Sequence, residues 1–146
     1  MYTAFYHLHS FWAYLVVLVV FLATVNAIIG SVAKRSYGPK DFRISLFALI
    51  VTHIQLLFGI VLFFISDKIR WFDADTDVSL IMKNDLLRLY NVEHPLLMII
   101  AIALITIGYS KHKKKSISAS KFKTLAIFYT LAFIAMLAMI PWSVWL

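Results

Sequence analysis

The sequence predicts an all-α integral membrane protein, built as a four-helix up-down-up-down bundle with a short interfacial helix in the second loop. The first observation behind this prediction is composition. Of the 146 residues, 62% are hydrophobic and 14% are charged, and the mean hydropathy is +0.87, whereas about a quarter of the residues in a soluble domain are charged. A chain this short cannot bury so much apolar surface in its own core, so the excess must face lipid.

The second observation is that four apolar runs carry this excess, and each approaches the length of about 20 residues that crosses a hydrocarbon core. Backbone groups in lipid must be hydrogen-bonded within the segment, and the runs lack the two-residue alternation of barrel strands, so helices are expected. The first run has no Lys or Arg before Lys34 and therefore lacks the basic start of a signal peptide. The chain is predicted to be one domain, residues 1–146, with spans at about 3–31, 43–66, 92–110 and 122–145.

The second loop, residues 66–92, is the only connection long enough to hold structure of its own. Its segment DVSLIMKNDLLRLY mixes apolar and charged residues as a short interfacial helix or a cap on the bundle would. The neighbouring stretch DADTD is not a calcium loop, because Val78 and Asn84 stand where such a loop requires Gly and Glu.

Basic residues are concentrated in the first and third loops. The second loop has more acidic than basic residues, so the positive-inside rule places both termini outside the cytoplasm. We therefore expect a multi-pass membrane protein with both termini on the non-cytoplasmic side. The lipid bilayer is the expected partner, and the tight KHKKK loop suits anionic headgroups better than nucleic acid. The basic residues are Lys34, Arg35, Lys40 and Arg43 in the first loop, and Lys111, Lys113, Lys114, Lys115, Lys121 and Lys123 in the third.

Histidine is the main candidate for a metal ligand within the spans, because the chain has no cysteine. The absence of cysteine excludes disulfides, thiolate-held iron–sulfur clusters and covalent haem attachment. The five histidines are His7, His9, His53, His94 and His112, of which only His112 falls in a predicted cytoplasmic loop.

The histidines of the second and third spans define faces of their helices at about 100° per residue. In span three, one stripe begins at His94 and contains small residues that allow close approach. Span two has two candidate inward sectors, one containing His53 and the other containing Gln55 and Gly59. The span-three stripe consists of His94, Met98, Ala101, Ile105, Gly108 and His112.

Depth along the helix axis indicates which histidines can meet. At about 1.5 Å per residue, His9 and His94 each lie roughly 10 to 12 Å above the midplane if span one begins near Thr3, and His53 lies near the midplane. Two level, neutral imidazoles on different helices suit axial ligation of a b-type haem. His9 and His94 are therefore the predicted metal ligands. Pro95 is expected as the first helical residue of span three, with His94 at its cap.

Other polar residues are expected to complete the haem site. His53, Gln55 and Asn26 are predicted to line the interior. Arg88 or Arg70 is predicted to pair with the haem propionates, because guanidinium binds carboxylate well. Glu93 is expected to face the outer interface as a hydrogen-bonding or proton-handling group.

Simpler roles for these histidines remain open. His7 and His9 could lie at the membrane interface with neighbouring aromatic residues. His53 could form an interhelical hydrogen bond that serves packing alone.

Four short motifs accompany the histidines: HLHS at residues 7–10, HIQLLFG at 53–59, EH at 93–94 and PW at 141–142. With these motifs, the whole chain resembles short four-span bacterial membrane proteins described as cytochrome-b-like. In layout it is also similar to haem A synthase and the ascorbate-dependent b-type cytochromes, in which histidines from several helices hold haem. Those enzymes carry more helices or two haem-binding histidine pairs, whereas this chain offers one level pair and one mid-membrane histidine. The resemblance implies a haem protein of a bacterial inner membrane.

Three functional classes follow from these observations. The first is a small membrane cytochrome that binds haem b near the outer face and transfers electrons, with a quinone or another respiratory-chain membrane subunit as partner. The second is a non-catalytic structural or accessory subunit of a larger membrane complex, docking through an Asn26/Gly30 face and a Gln55/Gly59 face.

The third class is a transporter or a metal-dependent membrane enzyme that uses His53, Glu93 and His94. Transporters usually show internal repeats and broken helices. A hydrolytic metal site usually shows a tight cluster such as His-Glu-x-x-His, which this chain lacks. The sequence favours this class least.

Overall fold

The computed structural model of the chain describes all 146 residues, and every regular element in it is a helix. Four of the helices are long and apolar enough to cross a membrane, which confirms the predicted all-α four-helix class and a multi-pass membrane protein. In chain order the helices are α1 (Tyr2–Val32), α2 (Pro39–Ile65), α3 (Val78–Lys83), α4 (Asp85–Arg88), α5 (His94–Lys113), α6 (Ser118–Met139) and α7 (Trp142–Trp145).

The long helices form a closed ring in which α1 packs against α2 and α6, and α5 packs against α6 and α2. The backbone N–H of Tyr37 donates to Ser118 Oγ at 3.0 Å, so the first and third loops meet at one end of the bundle, here termed the basic end. At the opposite end, Trp145 Nε1 donates to Ser10 Oγ at 2.9 Å. That end holds both termini and the second loop, and is termed the termini end.

Small residues bring the helix backbones together inside the ring. Ala48, Ala101 and Ala132, from α2, α5 and α6, are fully buried. Among them lies the ring of Tyr129, also fully buried, whose hydroxyl donates to the Ser45 carbonyl at 2.8 Å. Large apolar side chains are instead exposed along the outer faces of all four long helices. This distribution suits a protein whose exterior contacts lipid and whose interior is held by close packing.

Glycines mark the closest helix contacts. A Cβ on Gly108 of α5 would overlap the Cβ of Phe128 in α6, and a Cβ on Gly30 of α1 would overlap the ring of Phe122. The predicted use of Gly30 as part of an external docking face was therefore wrong, because this glycine makes room for a fully buried aromatic ring inside the bundle.

The start of the third span differs from its prediction. Helical structure already runs through α4 and a π-helical turn, Leu89–Glu93, before α5 begins, so His94 is not an N-terminal cap. Pro95 has no N–H to donate to the carbonyl of Asn91 one turn earlier. The indole Nε1 of Trp71 donates to that carbonyl instead, at 2.9 Å. The π-helical turn thus joins the second loop to α5.

Asn91, buried within this turn, holds the second loop in place. Its Nδ2 donates to the carbonyls of Lys68, at 3.0 Å, and Leu87, at 2.7 Å. Its Oδ1 accepts from the backbone N–H of Arg70 at 2.7 Å. One side chain therefore satisfies three backbone groups.

We expect Asn91→Leu to lower the free energy of unfolding by about 2 to 4 kcal/mol, because leaving each buried backbone group unpaired costs about 1–3 kcal/mol. Asn84→Ala is the matched control, since it removes an exposed cap of α4 and should cost only about 1 kcal/mol. Thermal unfolding of both variants in detergent measures the difference. Equal losses would show that Asn91 does not hold the loop.

Candidate ligand-binding cavity between His9 and His94

A cavity of about 370 Å³ lies between the long helices at the termini end. This volume falls within the range of about 300–1,000 Å³ typical of ligand pockets. Of the 29 lining residues, 19 are hydrophobic, so the cavity suits a largely apolar ligand. Both predicted metal ligands, His9 and His94, line it.

His94 is oriented by the end of α6. Pro141 disfavours a helical conformation at Ile140, and α6 ends at Met139 rather than continuing toward Trp145. Because the last four carbonyls of a helix have no intrahelical partner, the Met139 carbonyl is free to accept a hydrogen bond, and His94 Nδ1 donates to it at 2.8 Å. A carbonyl only accepts, so Nδ1 carries the proton. In the neutral ring, Nε2 is then the nitrogen with a lone pair.

His9 is carried on the first turns of α1, which begins at Tyr2. The side chain of Gln55 on α2 donates through Nε2 to the His9 backbone carbonyl at 2.9 Å. Gly59, one turn further along α2, lies beside the imidazole, and a Cβ there would be in van der Waals contact with His9 Cε1 at 3.4 Å. The His9 Nδ1 atom is buried and has no hydrogen-bond partner.

The structure brings the two imidazoles together. Their ring centroids lie 6.2 Å apart, with 77° between the ring planes. At this separation both rings border the same part of the cavity.

His53 does not join this pair, and the prediction that it lines the interior was wrong. Its side chain is exposed on the outside of α2, where Nδ1 donates to the Leu49 carbonyl at 2.7 Å and Nε2 lies 3.4 Å from Thr106 Oγ1. The physical reason is helix rotation. Thr52 and Gln55 face the cavity, and at about 100° per residue that orientation turns His53 away from it.

The two arginines predicted to pair with haem propionates are engaged elsewhere. Arg88 donates to Glu93 Oε1 at 2.8 Å, to Asp85 Oδ1 at 3.0 Å and to the Met82 carbonyl at 2.8 Å. Arg70 pairs with Asp73 at 2.9 Å. Neither arginine lines the cavity, because the π-helical turn places Arg88 beside Glu93. The prediction for these arginines was therefore wrong.

Asn26 also lies away from the cavity, at the basic end, so its predicted interior role was wrong. Its Nδ2 donates to Asp41 Oδ1 at 2.9 Å, and Arg35 donates to the same oxygen at 2.6 Å. The second Asp41 oxygen accepts from the Gly38 backbone N–H at the start of α2. These contacts tie α1, the first loop and α2 together, leaving no Asn26/Gly30 face for a partner protein.

His112, predicted to lie in a cytoplasmic loop, is fully buried near the end of α5. Its Nδ1 donates to the Tyr109 carbonyl at 2.5 Å, and Nε2 lies 2.8 Å from the Tyr37 hydroxyl. Burial raises the pKa of Tyr37, so its hydroxyl stays protonated and can donate to Nε2. The extension of α5 through Lys113 brings His112 inside.

The metal-ligand side chains of the chain form no group of three or more. A metal held by protein ligands alone generally uses three or four, whereas a haem iron needs only axial ligands from the protein. The His9–His94 pair matches the second requirement.

Comparison of the chain with protein-family profiles, with curated proteins and with solved structures finds no match. The residues of the cavity are therefore the observations on which a function can rest.

Proposed function

We propose that this protein is a small membrane cytochrome that binds haem b in the cavity between α1 and α5, with His9 and His94 as axial ligands. The observation that carries the proposal is the facing pair of imidazoles on two helices, both lining one apolar cavity. When bound, the haem would supply one-electron transfer.

Buried polar atoms without hydrogen-bond partners support the proposal that the cavity binds a ligand. Three buried side-chain atoms of the chain lack a hydrogen-bond partner: His9 Nδ1, Gln55 Oε1 and Thr24 Oγ1. Two of these three belong to residues that line the cavity. Because buried polar groups are nearly always satisfied, their presence beside a candidate metal ligand fits a site that is completed by a bound group.

The hydrogen bond from His94 to the Met139 carbonyl supports the assignment of His94 as a ligand. Metal-binding histidines usually donate their second ring N–H to a carbonyl or carboxylate, which sets the tautomer and the ring orientation. His94 has this arrangement, so Nε2 is available for the metal.

Gln55 fits a positioning role for His9. It already bonds to the His9 backbone, and its free Oε1 is an acceptor on the same side of α2 as the imidazole. The bond from Gln55 holds the His9 backbone beside the cavity that both residues line.

The apolar walls of the cavity also fit haem chemistry. Met98, Ile102 and Met136 are among its apolar lining residues. Walls of this kind exclude water and disfavour additional charge, and burial is one of the factors that tune the potential of a haem iron.

A quinone or another respiratory-chain membrane subunit is the proposed electron partner. The protein is proposed to lie in a bacterial inner membrane with both termini on the non-cytoplasmic side.

A titration of the purified protein in mild detergent with haemin tests this proposal. We expect a Soret band that saturates at one haem per chain, and split visible bands after reduction with dithionite. A linear rise without saturation, or a preparation that stays colourless in cells supplied with haem precursor, would contradict it.

The alternative of an accessory subunit receives less support from the fold. Its two predicted docking faces are used within the chain, since Gly30 accommodates Phe122 and Gln55 and Gly59 both line the cavity. Co-purification of partner proteins in a gentle extraction, together with absence of haem, would favour this alternative.

A further inference from the structure

The cavity contains one formally charged side chain, that of Lys68. No Asp or Glu lines the cavity. A ligand that fills this space therefore meets a single positive charge, at the termini end and in the loop that follows α2.

The Lys68 ammonium has no ionic partner. It forms none of the ion pairs of the chain, which engage Arg35, Arg70 and Arg88. It lies instead between two aromatic rings, 5.3 Å from the centroid of Tyr6 and 4.8 Å from that of Tyr90. Both tyrosines line the cavity. Aromatic faces attract a cation without neutralising its charge, so the ammonium stays available to an anion.

The position of Lys68 is fixed by the π-helical turn that directly precedes His94. Asn91 donates to the Lys68 carbonyl at 3.0 Å, and the Lys68 N–H donates to Ser66 Oγ at 3.2 Å. Asn91 belongs to the π-helical turn that directly precedes His94. The charge and the candidate metal ligand are therefore connected through one short segment that contains the buried Asn91.

We propose that Lys68, rather than Arg70 or Arg88, binds the carboxylates of the haem and sets its orientation, with the acidic edge toward the termini end. This inference rests on the proposed function. Lys68 is the one cation at the cavity, and its pairing with a carboxylate would form a charge-assisted hydrogen bond in a poorly hydrated place. Tyr6 and Tyr90, which also line the cavity, lie on either side of the ammonium.

Comparison of haemin with its dimethyl ester, which lacks the carboxylates, tests this inference by optical titration. Wild-type protein should bind haemin about 10- to 100-fold more tightly than the ester, since hydrogen bonds to charged groups contribute about 1.5–3 kcal/mol. Lys68→Ala should lose most of this preference while still binding the ester, and Lys68→Arg should retain it. Lys83→Ala, which removes an exposed lysine of the same loop, is the matched control and should behave as wild type.

The outcomes separate the two proposals. If wild type binds both porphyrins equally, or if Lys68→Ala keeps the full preference for haemin, the role of Lys68 is refuted while haem binding stands. If wild type binds neither porphyrin, the proposed function itself fails.

Discussion

Replacement of His94 by alanine is expected to weaken haem binding by more than about 100-fold, because loss of even an outer-shell partner of a metal ligand costs about 10- to 100-fold in affinity. His9→Ala should have a similar effect. The ring of His94 is oriented by its hydrogen bond to the Met139 carbonyl. Its replacement therefore removes a ligand that is already oriented for binding. The Soret absorbance of each purified variant, per mole of protein, measures the effect.

His53→Ala is the matched control for both variants. It removes the same type of side chain from a neighbouring helix, but from an exposed position outside the cavity. We expect its Soret absorbance to equal that of wild type. Loss of colour in His53→Ala with retention in His94→Ala would reverse the assignment of ligands.

Substitution of Gly108 by alanine is expected to lower the free energy of unfolding strongly. The added Cβ would overlap the Cβ of Phe128, an atom bound to the backbone of α6, so relief requires the two helices to separate. Overpacking typically costs about 1–3 kcal/mol, and we expect a value near the top of this range. For a chain of this size, that loss lowers Tm by about 6 to 12 °C.

Gly38→Ala is the control for the Gly108 substitution. A Cβ on Gly38 would meet only one Asp41 carboxylate oxygen, at 3.9 Å. Its backbone is extended, which any residue can adopt, and the loss should stay below about 1 kcal/mol. Similar melting temperatures for the two alanine variants would show that α5 and α6 are not in close contact at Gly108.

Periodicity predicted the buried face of α5 well. The stripe that includes Ala101, Ile105, Gly108 and His112 is buried along the bundle, because rotation about a regular helix is set by residue spacing alone. The inward-facing side of span two could not be predicted in the same way. Its two candidate sectors are both plausible from spacing, and only packing against α1 selects the sector with Gln55 over that with His53.

The sequence did not reveal which groups the charged side chains of the second loop contact. Arg88 and Lys68 both occur in a loop rich in charge, and spacing does not reveal that a π-helical turn pairs Arg88 with Glu93 while Lys68 faces the cavity. The predicted fourth span, residues 122–145, ran past Pro141, whereas α6 ends at Met139, because proline disfavours continuation of the helix. Which imidazole donates a hydrogen bond to the free Met139 carbonyl depends on the distance between two helix ends. That distance cannot be obtained from the sequence.

The most direct test of the account is the electron paramagnetic resonance spectrum of the oxidised protein loaded with one haem per chain. Two axial imidazoles, from His9 and His94, predict a low-spin ferric signal in wild type, converted to high spin when either histidine is replaced by alanine. A high-spin signal in the wild-type protein, or a low-spin signal that survives loss of both histidines, would contradict the assignment of the cavity as a bis-histidine haem site.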